Sequence, residues 1–245
     1  MREIVVTLDM DWAPDFVIDE VANCLIEQGV RATWFVTHLS PAVERLRARQ
    51  DLFELGIHPN FLDGSSHGKS CEEVLNHCET LVPEARSIRT HGLIHSSALT
   101  DALFENTDIC IDSTFYLPYS THIEAVEYQR FGKSIWRIPF FWEDDDEPER
   151  QNPCWDLPEI LRGRSGLLVF AFHPIHVYLN SRTLDSYARL KKEGGPLNQL
   201  SDETARKFVS PGDGPKALFE ELVRYLASSG RSSRLSDLIP RKVKP

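Results

Sequence analysis

The chain has 245 residues, 41% hydrophobic and 26% charged, with a formal net charge of −10 at pH 7. That length suits one large α/β domain over residues 1–245, and no apolar run approaches the roughly 18 residues that span a membrane. The acidic balance argues against a nucleic-acid surface, which would carry a basic stripe.

Glu3–Trp12 reads E-I-V-V-T-L-D-M-D-W, and its apolar, β-branched run Ile4–Leu8 predicts a strand buried on both faces. In extended chain side chains repeat every second residue, which puts Asp9 and Asp11 on one side and Met10 on the other. Two close carboxylates repel unless a cation sits between them or one has another task. The pair therefore predicts a metal ligand beside a proton-transfer group, with a solvated turn as the competing reading. Ala13–Pro14–Asp15 opens a helix that carries Val17, Ile18, Val21, Ala22, Leu25 and Ile26 at helical spacing up to Gly29. Ala32–Thr37 is a second buried strand, and Ser40 with Pro41 starts a helix to about Gln50. Leu52–Ile57 is a third strand ending at His58. After a Gly- and Ser-rich loop over Pro59–Lys69, Ser70 and Glu73 form a capping box for a helix with Val74, Leu75, Cys78 and Leu81.

Further strands are expected near Ser87–Arg89, Ile109–Asp112, Ile135–Phe140 and Leu167–Phe172, with a helix over Ser97–Asn106. Trp142–Trp155, containing E-D-D-D-E-P-E, reads as a surface loop with at most one acid turned inward. Lys191–Pro215 is polar and Gly-rich, a candidate lid, and Pro215–Ala227 closes the chain as an amphipathic helix. The alternation implies a mainly parallel sheet, open or closed into a barrel. The five cysteines are odd in number and form no C-x-x-C, so neither a disulfide framework nor a zinc ribbon is expected. The start, M-R-E-I-V-V, leads directly into a strand, so the expected location is cytoplasmic.

In a parallel β/α architecture functional groups collect where strands end. Those ends carry Asp9 and Asp11, then His58, Arg89, Asp112, Trp142 to Asp144, and His173 with His176. Arg89 has two readings, as an orienting group for a catalytic acid or as a simple partner of Asp112. His91, His95 and His122 read as loop residues, and Trp142, Trp136 and Phe141 as sugar-stacking or core aromatics.

Five segments in order resemble the motifs of polysaccharide deacetylases of the NodB-homology type, a carbohydrate esterase family 4 pattern. T-L-D-M-D-W at Thr7–Trp12 is similar to T-F-D-D-G, and G-I-H-P-N-F-L-D-G-S-S-H-G at Gly56–Gly68 to an H-x-x-x-H motif. R-T-H-G-L at Arg89–Leu93 is similar to R-x-P-x-G, though it lacks the Pro. F-F-W-E-D-D at Phe140–Asp145 is similar to the aromatic and acidic fourth motif, and L-L-V-F-A-F-H at Leu167–His173 to the apolar run that leads into a His. H-P-N-F-L and F-H-P-I-H further resemble the WbmS-like variant found in bacterial surface-polysaccharide gene sets.

The resemblance implies a distorted (β/α) barrel of about seven strands. It also implies a divalent metal held by one Asp and two His, with zinc first and cobalt, nickel, manganese or iron also suited. Asp9 would be the general base, Asp11 and His58 metal ligands, and His173 the general acid. Arg89 would orient Asp9, and Asp144 or Glu143 would orient His173. His67 is the expected second His ligand, with Asn60, Asp63 or His176 as alternatives, because it lies nine positions after His58 and a folded loop must return it. Trp142, His176 and Asn60 are candidate substrate contacts. The implied activity is removal of an N-acyl group, acetyl or formyl, from an amino sugar or glycan precursor inside the cell. The rivals are a degenerate glycan-binding member and a hydrolase of a non-sugar amide or ester. Nothing in the sequence indicates an oligomeric state.

Overall fold

The computed structural model describes residues 2–240. β1 (Arg2–Asp9) is buried from Ile4 onward, as a strand covered on both faces should be. α1 (Asp15–Gln28) stops where Gly29 adopts a left-handed φ of 63° and its N–H bonds back to Leu25 and Ile26. β2 (Ala32–Val36), α2 (Pro41–Arg47, capped by the Ser40 side chain), β3 (Phe53–Ile57) and α3 (Cys71–Leu81, with the Ser70/Glu73 capping box) follow as the sequence suggests.

Beyond α3 the strands shorten: β4 (Ser87–Ile88), α4 (Ser97–Asn106), β5 (Ile111–Asp112) and β6 (His122–Ile123). An antiparallel hairpin of β7 (Val126–Arg130) and β8 (Lys133–Arg137) was not among the expected elements. It turns at Phe131 and Gly132, with φ of 51° and 73°. Then come β9 (Trp142–Glu143), α5 (Leu157–Leu161), β10 (Ser165–Phe172), α6 (Pro174–Leu179), α7 (Leu184–Gly194), α8 (Asp202–Arg206) and α9 (Pro215–Ser229). The stretch Lys191–Pro215, a candidate lid or insert, includes the end of α7 and all of α8.

The strands run in the order β6-β10-β1-β2-β3-β4-β5-β8-β7, with β9 also on β10, and only the β7–β8 pair is antiparallel. β8 pairs with β5 through Trp136 and Arg137, and β9, a few residues on, pairs with β10. One run thus links both ends of the row and curls the sheet into the distorted barrel of about seven strands that the resemblance implies.

Strand alternation sorts the core. Val5 joins Phe35, Ile111, Ile138, Phe140, Val169, Ala171 and Leu235 inside the barrel, whereas Ile4, Val6 and Leu8 pack towards the helices. The chain after α9 closes the N-terminal mouth: the Leu235 N–H donates to Thr33 Oγ1 at 3.0 Å and the Ser236 N–H to Glu54 Oε2 at 2.9 Å. Ser87 Oγ donates to Glu54 Oε1 at 2.8 Å. On the same inner face only glycine fits at position 56, since a Cβ there would lie 2.5 Å from Ser87 Oγ. The interior is filled below, and its inward rows emerge at the C-terminal mouth as the polar residues of the site. No helix among the described residues is long and apolar enough to cross a membrane.

Candidate active site

Arg89 leaves β4 on the inner face and is fully buried, its guanidinium carbon 4.7 and 4.4 Å from the ring centroids of Phe35 and Phe140. A guanidinium keeps its proton even when desolvated, so it requires acceptors on every side. It donates through Nε to the Ser113 carbonyl at 3.0 Å and through Nη2 to Ser113 Oγ at 3.0 Å. Nη1 donates to Thr7 Oγ1 at 2.8 Å and to Asp9 Oδ1 at 2.9 Å. Asp9 is 2% exposed, so this contact fixes its direction. Asp112, the other partner considered for Arg89, accepts the Thr114 N–H at 3.0 Å instead.

β1 ends at Asp9, so strand alternation does not carry Asp11 into the site. Asp11 and Trp12 turn through φ of 42° and 56°, conformations that cost a non-glycine residue about 1–3 kcal/mol. Thr37 Oγ1 secures the turn by accepting the Trp12 N–H at 3.0 Å. The turn brings Asp11 Oδ1 to 3.1 Å from both His58 Nε2 and His91 Nδ1, with Oδ2 3.7 Å from His173 Nε2. Burial pushes the Asp11 carboxyl up, but the hydrogen bonds from His58 and His91 outweigh it and hold the group well below the usual carboxylate range. His91 shifts the other way: burial disfavours its charge, and the Asp11 contact more than compensates. Donors around a tetrahedral zinc, each about 2.0–2.1 Å from the ion, lie about 3.3 Å from one another. One carboxylate oxygen 3.1 Å from each of two imidazole nitrogens, all three within 4.8 Å of one another, therefore suits a divalent cation of the zinc, cobalt or nickel kind.

His91 thus stands where His67 was expected. His67 is buried behind this group, with Nε2 2.9 Å from the Thr37 carbonyl and Nδ1 accepting the Asn60 N–H at 3.1 Å. With both ring nitrogens engaged it braces the Pro59–Lys69 loop, and burial pushes its pKa down to about 4. Among the described residues it belongs to none of the His and acid groups close enough to share an ion. Asn60 is part of the same bracing, its Oδ1 accepting the Leu62 N–H at 2.9 Å, and it does not line the cleft. Trp142 is likewise core, fully buried against Phe170, Phe172 and Trp155.

His173 follows β10 and is held twice by Asp144. Its Nδ1 lies 2.7 Å from Asp144 Oδ1, and its backbone N–H donates to Oδ2 at 2.9 Å. Burial raises the Asp144 carboxyl to about 6, and burial also disfavours charge on His173. The charges of Asp145 and Asp144, with the Asp144 hydrogen bond, nonetheless lift His173 well above the ordinary imidazole value. The pair therefore presents a proton-bearing ring whose Nε2 faces Asp11. The acidic run around Asp144 is folded inward rather than solvated. Glu147, 1% exposed, accepts the Tyr119 hydroxyl and the Cys154 N–H, and Asp146 pairs with Arg150 at 2.5 Å. A cleft of about 470 Å³ opens over the site, lined by Asp11, His91, Asp145, His173 and His176, with Trp12, Ile175, Tyr187 and Leu197 as apolar walls and Lys191 among its polar residues.

Residues 6–191 match the family described as WbmS-like polysaccharide deacetylase. The chain belongs to this family. Among solved structures it is similar to WbmS of Bordetella bronchiseptica, assigned as a polysaccharide deacetylase of O-antigen biosynthesis. The TM-score is 0.76 at 29% identity, over 91% of this chain and 90% of that one. The 4-alpha-glucanotransferase of Thermococcus litoralis has a TM-score of 0.50 at 14% identity, over 98% of this chain and 39% of that one, a likeness of fold alone. The peptidoglycan deacetylase PdaC of Bacillus subtilis has a TM-score of 0.48 at 14% identity, over 96% and 89%. No curated protein matches.

In this WbmS-like chain the places where the sequence departs from the NodB pattern become physically intelligible. The extra Met10 between the acids is fully buried, and the left-handed turn after it redirects Asp11. His91 occupies the position of the Pro in R-x-P-x-G, and Arg89 remains rigidly held without that Pro. A signal for His91 was present: it lies two residues after Arg89, just beyond a strand exit where functional groups collect.

Proposed function

We propose that this WbmS-like protein is a metal-dependent hydrolase that removes an N-acetyl or N-formyl group from an amino sugar of a surface-polysaccharide precursor. The observation that carries the reading is a pair of braced groups at one cleft. Asp9 is fixed by Arg89 and His173 by Asp144, with the cation-compatible Asp11, His58 and His91 beside them. The assignment of WbmS to O-antigen biosynthesis supports the substrate class. Cys24, Cys71, Cys78 and Cys154 are free thiols, which supports a reducing compartment and hence action on a precursor inside the cell.

A divalent cation, zinc first, would be held by Asp11, His58 and His91 and would supply Lewis-acid polarisation of the acyl carbonyl and an acidified water. Asp9 accepts the proton of the water that attacks the carbonyl carbon, and Arg89 keeps that carboxylate aimed. The C–N bond breaks only as nitrogen gains a proton, because an amine anion is far too basic to leave. His173 Nε2 delivers that proton while Asp144 holds the ring. The products are a free amino sugar and acetate or formate. The faces of Trp12 and Tyr187 on the cleft wall suit a sugar ring, and His176 sits at its floor beside His173.

The test is acyl release from N-acetyl and N-formyl amino-sugar precursors by purified protein before and after chelation. Release should stop with the chelator and return with zinc. His173→Ala should slow the amide on the order of 10²-fold or more and an activated ester of the same acyl group less. Equal losses on both substrates with metal retained would remove the acid role from His173. Failure to release acyl groups from any such precursor would remove the reading.

A further inference from the structure

Three of the cleft's donors are not used by the cation position of the proposed function. Asp145, His173 and His176 each offer an atom within 4.8 Å of the other two. His173 Nδ1 is engaged by Asp144, so the nitrogen left to face an ion is Nε2. His176 is 3% exposed, and its Nδ1 is buried with no hydrogen-bond partner among the described residues. The ring cannot turn away, because it is packed edge-on against Tyr187 at 4.6 Å and His173 at 5.5 Å between centroids. Asp145 lines the same wall, where burial chiefly disfavours its charge and the Asp11 and Asp9 carboxylates add to that against the pull of His173, so a cation there would favour the carboxylate.

We infer that this cleft contains a second, weaker divalent-cation position formed by Asp145, His173 and His176, and that filling it switches the hydrolase off. The inference rests on the proposed function, since it concerns the nitrogen assigned there to proton delivery. One feature makes this position the weaker one: the ion must displace the proton that His173 Nε2 delivers in the proposed reaction. As the ion takes the Nε2 lone pair, the proton passes to solvent. The first cation stays in place, but nothing remains to protonate the departing nitrogen. Asp11 lies beside both positions, Oδ1 3.1 Å from His58 and His91 and Oδ2 3.7 Å from His173, so the two positions share its negative charge.

The experiment is equilibrium dialysis of metal-free protein against zinc, with bound metal and deacetylation rate read on the same samples. Wild type should bind two equivalents, the second at least about tenfold more weakly. Activity should rise with the first and fall with the second. His176→Asn and, independently, Asp145→Asn should bind one tight equivalent and lose the second. A single equivalent in wild type, or two retained in both variants, would overturn the inference. Absence of the first tight equivalent would overturn the proposed function, and this inference with it.

Discussion

The two mouths of the barrel treat buried polarity in opposite ways. The inner-face rows of β2, β3 and β4 begin at Thr33, Glu54 and Ser87 and emerge at the other end near Thr37, His58 and Arg89. At the N-terminal mouth every one of these groups meets a partner: Thr33 Oγ1 donates to Glu54 at 3.2 Å, Ser87 does so at 2.8 Å, and the amides of Leu235 and Ser236 complete the set. At the C-terminal mouth the braces stop short of the reacting edge. Asp9 and His173 are held from behind, and Asp11, His58, His91 and His173 converge on one another at the edge of the cleft. A closed polar network contributes stability, whereas donors held rigidly but left facing a cleft are available to a ligand.

That contrast predicts a gradient of effects on turnover. Asp9→Asn should have the largest, a fall in kcat/KM on the order of 10²–10⁴-fold with metal retained, because an amide keeps the shape but accepts no proton. Near-native kcat/KM would take Asp9 out of the base role. His91→Ala should come next, lowering zinc affinity on the order of a hundredfold or more, since removing a ligand should cost at least as much as removing a residue that merely supports one. His67→Ala is its control: full metal stoichiometry with a lower unfolding midpoint. The reverse pattern in the two histidines would restore His67 as the ligand. Leu235→Ala should have the smallest effect on turnover. Removing the apolar plug of the lower mouth should cost about 2–5 kcal/mol in urea unfolding and leave kcat/KM of the folded enzyme within about twofold. A large loss of kcat/KM in folded Leu235→Ala would break the division of labour between the two mouths.

The first half of the chain was legible in the sequence because its signals are local. Ser40–Pro41, the Ser70/Glu73 box and Gly29 each act within a few residues, and β1 to β3 are long enough to show their burial. β4, β5 and β9 have two residues each, too few for any periodicity to register. The fourfold grip on Arg89 depends on Ser113, Thr7 and Asp9, far apart in the chain, so only its candidacy was visible. His91 was obscured by the same short β4, which hides which way the residues after it face. His67 looked like a ligand because of its motif, and what captures it is the carbonyl of Thr37, on another strand exit. The acidic run read as solvated because Tyr119, which donates to Glu147 from 28 positions away, is outside any local pattern; Arg150, four residues after Asp146, was the one local signal. Trp142 sits on the outer face of β9, and so it packs into the core rather than against a sugar.

The most direct test of the account is the position of the metal itself: anomalous diffraction at the zinc edge from crystals grown with one equivalent of zinc. The account predicts one strong peak about 2.0–2.2 Å from a carboxylate oxygen of Asp11, from His58 Nε2 and from His91 Nδ1. A peak liganded by His67, or one beyond bonding distance of His91, would contradict it.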